Sequence, residues 1–162
     1  MRLASAFHET LLQVSEAARS FESPWWIIGS AAARLVGAEI SDMRDIDLLA
    51  DENDVRRLLA VWPGEAAVDV RPDPQFRSRI FRRFEFMPAP VEAFGGFEMC
   101  VDGDWRTVRP KTRLAVAGVF VPDALEQIEL LTLMARPKDA PRVAALRRVL
   151  AAEPVAGGPL IR

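Results

Sequence analysis

The chain has 162 residues, half of them apolar, with 21 basic and 23 acidic side chains and a formal net charge of −2. That length supports one domain with a real core. The slightly acidic balance argues against a dedicated duplex nucleic-acid binder, which carries a basic surplus, and no apolar run approaches the roughly 20 residues needed to span a bilayer.

In chain order, residues 5–21 show helical spacing of Phe7, Leu11, Val14 and Ala18. Ser23-Pro24 breaks that helix. The apolar run Trp25-Trp26-Ile27-Ile28 predicts a buried strand ending in Gly29-Ser30. The alanine-rich stretch 31–36 predicts a helix, with Gly37 as its stop. Residues 44–50 predict a second strand. Asp51 or Asn53 caps a helix that carries Val55, Leu58, Leu59 and Trp62 and closes at Pro63-Gly64. A short strand is predicted over 67–70, and 71–75 is irregular.

Residues 76–87 and 91–101 read as extended segments, Asp102-Gly103 as a tight turn, and 105–108 as the returning strand. Another strand is predicted over 116–121. Asp123 and Glu126 have capping-box spacing at the start of a helix that carries Leu125, Ile128, Leu131 and Met134 inward. Pro137 interrupts it, a last helix follows over 139–151, and Gly157-Gly158-Pro159 heads a flexible tail over 153–162. The expected fold class is α+β, a mixed sheet flanked by helices with a C-terminal helical pair, as a single domain over 1–152.

Chemistry concentrates between residues 25 and 50. Alternation along a strand puts Asp45 and Asp47 on one face and Ile46 and Leu48 on the other. The two carboxylates then sit about 7 Å apart along the chain. Anions that close need a divalent cation, a proton or ample water. Mg²⁺ takes oxygen ligands, commonly one or two carboxylates plus substrate phosphates. Gly29 lets backbone approach a ligand, and free N–H groups at the following helix start suit a phosphate.

Gly29-Ser30 followed by Asp45-Ile46-Asp47 resembles the Gly-Ser and Asp-x-Asp signature of the polymerase-β-type nucleotidyltransferase superfamily, and in particular its small bacterial members of the antibiotic and toxin type. Arg44-Asp45-Ile46-Asp47-Leu48 is the most specific piece, and Ala135-Arg136-Pro137-Lys138-Asp139 is a second point of likeness. The resemblance covers roughly residues 20–60 and 120–150. It implies two ions, Mg²⁺ or Mn²⁺, held by Asp45 and Asp47, with a third carboxylate completing one site and acting as general base. Glu92, between Val91 and Ala93, is favoured, with Glu85, Glu98 and Asp69 as rivals. Ser30 would offer its hydroxyl and N–H to the β- and γ-phosphates, or act as a plain helix N-cap. Arg44 would meet a phosphate or a neighbouring acid. Lys138 would reach the nucleotide or pair with Asp139 or Glu129. Arg77, Arg79, Arg82 and Arg83 form the densest positive cluster, facing either an anionic substrate or solvent.

The expected function is transfer of an NMP from an NTP such as ATP to a hydroxyl, on a small molecule rather than on RNA or protein. The acceptor pocket would come from residues 71–121 or from a second subunit in a homodimer. The alternative is a degenerate, non-catalytic member that binds a nucleotide or a protein partner, for instance within a toxin–antitoxin pair. His8 and Cys100 are the only histidine and cysteine, which argues against a His-based triad, a His/Cys zinc site and any intrachain disulfide. With no signal peptide predicted, the cytoplasm is the expected compartment. Trp25, Trp26 and Trp62 read as packing residues, and Trp105 as a residue that could border a cleft.

Overall fold

A computed structural model describes residues 2–63 and 73–152. The predicted strand over 67–70, its Asp69, and the predicted tail lie outside the described residues.

Helix α1 (Arg2–Ala17) runs into a 3-10 turn at Ala18–Ser20. Phe7, Leu11, Val14 and Ala18 are buried, so the helical spacing places its apolar stripe inward. Thr10 on the same helix is fully buried and ties it to the loop before the third central strand. Its hydroxyl accepts from the Ala89 N–H at 3.0 Å and donates to the Ala89 carbonyl at 3.3 Å.

Strand β1 (Trp26–Ile28) leads directly into α2 (Gly29–Leu35), and β2 (Ile46–Ala50) into α3 (Glu52–Val61). Of the two possible α3 caps, Asp51 is used, accepting from the Asn53 N–H at 2.9 Å. Leu59 lies on the exposed side of α3 while Val55 and Leu58 are buried. Asp54 is buried as well. Its carboxylate accepts from the Glu22 and Ser23 N–H groups and from Arg57, pinning the Ser23-Pro24 break.

The two long extended segments each divide. Residues 76–87 contain β3 (Phe76–Arg77) and β4 (Ile80–Phe84), and residues 91–101 contain β5 (Val91–Gly95) and β6 (Glu98–Val101). Gly96, with φ +63°, breaks the second segment so that its halves join different sheets. The main sheet has the order β1-β2-β5-β4, with β2 and β5 parallel and both outer pairs antiparallel. Strands β3, β6 and β7 (Asp104–Thr107) form a second, antiparallel sheet. Asp102 and Gly103 both take positive φ in the β6–β7 turn, as a two-residue hairpin of this hand requires.

Three expectations need correction in the C-terminal third. Residues 116–121 are not one strand but part of a hairpin, β8 (Leu114–Val116) and β9 (Val119–Val121), turning at Ala117-Gly118. Ala117 takes φ +50°, a conformation alanine seldom adopts, so the turn was not evident. Helix α4 (Ala124–Met134) buries Ala124, Gln127, Ile128, Leu131 and Met134, leaving Leu125 exposed. Gln127 takes the inward position because its amide donates to the Ala32 and Pro122 carbonyls. The capping box is only half formed: Asp123 accepts from the Glu126 N–H, but Glu126 instead accepts from the Lys111 and Thr112 N–H groups. Helix α5 (Asp139–Ala152) packs against α4.

The main sheet therefore separates two apolar clusters. Ile46, Leu48, Val91 and Ala93 face α1 and α3. Trp26, Ile28 and Leu49 face the side of α4 and α5. The fold is α+β, a mixed sheet flanked by helices. Among the described residues no helix is long and apolar enough to cross a membrane.

Candidate active site

Strand register assembles the site. Ile28, Asp47, Glu92 and Arg83 are successive partners across β1, β2, β5 and β4. Neighbouring strands lie about 4.8 Å apart, so Asp47 and Glu92 stand side by side on one sheet face. Their flanking residues Ile46, Leu48, Val91 and Ala93 are all fully buried on the other. Asp45 joins them from the residue before β2. Each of the three carboxylates offers an oxygen within 4.8 Å of the others.

Glu85 and Glu98 sit elsewhere. Glu85 is exposed just past β4 and pairs with Arg83, while Glu98 lies on β6 of the second sheet and pairs with Arg77.

Crowding raises the proton affinity of the cluster. Burial, then the charges of Asp45 and Glu92, push the Asp47 carboxyl up to about 7, against the pull of Lys138 and Arg136. Burial, then a hydrogen bond with Asp45 and its charge, push Glu92 up to about 7, against Arg83 and Lys138. Arg83 is the cation that holds the group together. Its Nη1 lies 3.0 Å from Asp45 Oδ2 and 3.3 Å from Glu92 Oε1, and its Nε donates to Glu85 at 2.8 Å.

Gly29 opens α2 with φ +71°, and a Cβ there would lie 2.6 Å from Asp47 Oδ2. The Asp47 carboxylate thus rests against the start of α2. No side chain caps that start, because the capping position is Ile28. Ser30 is therefore not an N-cap; it lies within the first turn and is buried.

Arg44 is exposed, and among the described residues it forms no ion pair. Lys138 is exposed in the α4–α5 connection, close enough for its charge to act on Asp47 and Glu92. Among the described residues it pairs with neither Asp139 nor Glu129. Asp139 is taken by Arg136, which donates to it from Nε and Nη2.

A cleft of about 1200 Å³ opens from the carboxylates, floored by β4 and β5 and walled by α4 and the second sheet. Several of its residues escaped sequence reading. Arg136 lines it, oriented by Asp139 and lying 5.4 Å over the Phe76 ring. Phe81, Phe94, Phe97 and Phe76 form a run of adjoining rings. Phe94 was within reach of pattern reading, since it lies two residues beyond Glu92 on one strand and so shares its face. Trp105 also borders the cleft, stacked with Arg77 at 4.1 Å.

Comparison with known proteins agrees with this geometry. The family profile for aminoglycoside-2''-adenylyltransferase matches residues 10–82. Among curated protein sequences no match is found. A solved structure of a candidate nucleotidyltransferase from Thermotoga maritima superposes with a TM-score of 0.64 at 18% identity, over 89% of this chain and 92% of that one. The lincosamide antibiotic adenylyltransferase LnuA, with lincomycin bound, gives 0.56 at 11% identity over 86% and 95% of the two chains. The antibiotic-resistance factor ANT(2'')-Ia gives 0.54 at 16% identity over 93% and 85%. Residues 10–82 are thus similar to a nucleotidyltransferase family, and the fold as a whole is that of solved nucleotidyltransferases. The proteins it resembles are nucleotidyltransferases, antibiotic-modifying ones among them.

For a nucleotidyltransferase the donor set is chemically apt. Three carboxylates and no nitrogen or sulfur ligand make a hard site, suited to Mg²⁺ or Mn²⁺ and not to zinc. Ligand oxygens around octahedral Mg²⁺ stand roughly 3–4 Å apart, given bonds near 2.1 Å. Small carboxylate rotations would close the observed set to that spacing. A dication would also relieve the repulsion that raises Asp47 and Glu92.

The close approach at Gly29 yields a direct test. Gly29→Ala should cost about 1–2 kcal/mol in backbone strain alone, and its methyl should push the Asp47 carboxylate aside. Thermal unfolding and Mg²⁺ titration should both register the change. A variant with wild-type melting and metal affinity would show that this contact is not needed.

Proposed function

We propose that this chain is a Mg²⁺-dependent nucleotidyltransferase, with Mn²⁺ as a substitute, that moves an NMP from an NTP such as ATP to a hydroxyl of a small molecule. The convergence of Asp45, Asp47 and Glu92 beside the uncapped start of α2, at one end of a two-substrate cleft, carries the reading. At about 1200 Å³ the cleft exceeds the roughly 300–1,000 Å³ of a single-ligand pocket, so nucleotide and acceptor can share it without a second subunit. The names of the similar proteins describe adenylyl transfer to antibiotics, which supports a small-molecule acceptor. A single domain over 1–152 is part of this proposal.

Asp45, Asp47 and Glu92 would hold the metal. Bound there, it would supply charge neutralisation for the phosphates and the attacking oxygen. The N–H groups of Gly29 and Ser30 and the Ser30 hydroxyl would bind the β- and γ-phosphates. Lys138, and Arg136 beside it, would balance their charge. Arg44, exposed next to Asp45 in the chain, would meet a terminal phosphate. Glu92 would accept the proton of the acceptor hydroxyl as its oxygen bonds to the α-phosphorus. The bond from that phosphorus to the bridging oxygen breaks, and pyrophosphate leaves. Glu92 suits a general base, because its raised proton affinity lies near neutral pH.

Calorimetric titration of each NTP with Mg²⁺ tests the reading. Wild type should bind only with the metal present, and Asp45→Asn/Asp47→Asn should not bind at all. No Mg²⁺-dependent binding in wild type would overturn it in favour of a non-catalytic domain.

A further inference from the structure

The sheet face that carries the carboxylates turns aromatic one step further along its strands. Asp47, Glu92 and Arg83 form one row across β2, β5 and β4. The next row on the same face is Leu49, Phe94 and Phe81, about 7 Å away. Phe81 and Phe94 line the cleft with their rings 5.0 Å apart, and each is only half-buried. Phe97 adjoins Phe94 at 5.1 Å and continues this aromatic shelf. Leu130 and Met134 of α4 line the same cleft. Open aromatic surface beside a few convergent polar groups is the usual make-up of a small-molecule site.

Two rings compete for that shelf, the base of the nucleotide and the body of the acceptor. Strand direction separates them. β1 runs antiparallel to β2 and its last residue, Ile28, pairs with Asp47, so α2 begins on the Asp45 side of the Asp47–Glu92 row. Phe81 and Phe94 lie on the other side of that row, toward the C-terminal ends of β2 and β5. The carboxylates therefore stand between the start of α2 and the shelf.

In nucleotidyl transfer the attacking and leaving oxygens lie roughly in line through the phosphorus. With the β- and γ-phosphates at the start of α2, pyrophosphate departs on that side. The acceptor oxygen then enters from the opposite side, which is the side of the shelf. The nucleoside is attached to the same phosphorus away from this axis and is directed sideways.

We infer that the acceptor is a hydroxyl compound with an aromatic body, which lies on Phe81 and Phe94 while its hydroxyl reaches Glu92. This rests on the proposed nucleotidyl transfer for the position of the reacting hydroxyl. The spacing of about 7 Å between the two rows calls for a short linker or one sugar ring between hydroxyl and aryl group. Phenyl β-D-glucoside has that form, and methyl β-D-glucoside carries the same free hydroxyls without the aromatic ring.

Binding of each should be measured by calorimetry with Mg²⁺ and α,β-methylene-ATP present. The phenyl glucoside should bind about tenfold or more tightly than the methyl glucoside, as burial of one aromatic ring allows, and with a more negative heat-capacity change. Phe94→Ala should abolish that preference while the ATP analogue still binds. Phe81→Ala, on the edge strand β4, should do the same and replaces it where melting shows Phe94→Ala to be unfolded. Equal binding of the two glucosides by wild type, binding of neither, or a preference that survives in the folded variants would overturn the inference. So would loss of the ATP analogue in a folded variant, because the shelf would then hold the base. Should wild type fail to bind the ATP analogue yet prefer the phenyl glucoside through Phe81 and Phe94, the nucleotidyl-transfer reading falls and the aryl site stands.

Discussion

Glu92→Gln should slow turnover by about 10²–10⁴-fold, the usual contribution of a positioned general base, while Mg²⁺–NTP binding persists in weakened form. The amide keeps the size of the side chain and its place on β5, so the strand and its buried neighbours Val91 and Ala93 are undisturbed. It removes the site that receives the hydroxyl proton and one anionic metal ligand. Asp45 and Asp47 remain to hold a metal–nucleotide. The comparison that isolates the role is single-turnover rate against nucleotide affinity. A large loss in rate with a small loss in affinity assigns Glu92 to chemistry. Unchanged turnover would remove it from the reaction, with Asp69 next to be tested in the same way, since Glu85 and Glu98 lie apart from the aspartates.

That ambiguity reflects what local sequence can carry. Asp45 and Asp47 were legible because both lie on one short segment, and the alternation with Ile46 and Leu48 sets their face. Glu92 shows the same alternation between Val91 and Ala93, but so does more than one acid in the chain. Its position beside Asp47 depends on the parallel pairing of β2 with β5, strands 45 positions apart, and no local rule selects that partner. The arginines show the same limit. Four of them crowd residues 77–83, yet only Arg83 stands opposite Glu92 in register. Arg136 lies in the Ala135–Asp139 segment of likeness, but its place in the cleft was not legible, because its orientation comes from Asp139. Helix α4 misled for another reason. A glutamine whose amide nitrogen donates to two carbonyls took a core position that apolar periodicity assigns to a leucine, and Leu125 went to solvent. Readable features were those fixed by period and turn chemistry. Unread ones were fixed by strand partners and by buried polar bonds.

Arg83 gives the site a built-in cation, and its removal should strengthen metal linkage, where loss of a carboxylate weakens it. Asp47 and Glu92 both hold protons up to about pH 7, well above the range of an unfolded carboxyl. Between about pH 4 and 7 the folded chain therefore binds more protons than the unfolded one, and metal-free stability falls as pH rises through that window. Mg²⁺ requires these groups deprotonated, so its stabilising effect should be small at pH 6 and grow through pH 8. Arg83 occupies oxygens of Asp45 and Glu92 that the metal would take, and its charge opposes a second cation. In Arg83→Gln both effects vanish. The metal-free variant at pH 8 should lose on the order of 1 kcal/mol, a charged hydrogen bond reduced by partial solvent exposure, or about 2–4 °C in melting temperature. Saturating Mg²⁺ should recover that loss, so the metal-induced rise in melting temperature should exceed that of wild type. At pH 5 the difference between the two proteins should shrink, because Glu92 is then protonated and its ion pair with Arg83 is lost in both. Equal Mg²⁺-induced shifts in variant and wild type at pH 8 would show that Arg83 and the metal do not compete. Competition would mean that Arg83 leaves the carboxylates when metal–nucleotide enters, which frees its guanidinium at the boundary between the reacting centre and the aromatic shelf.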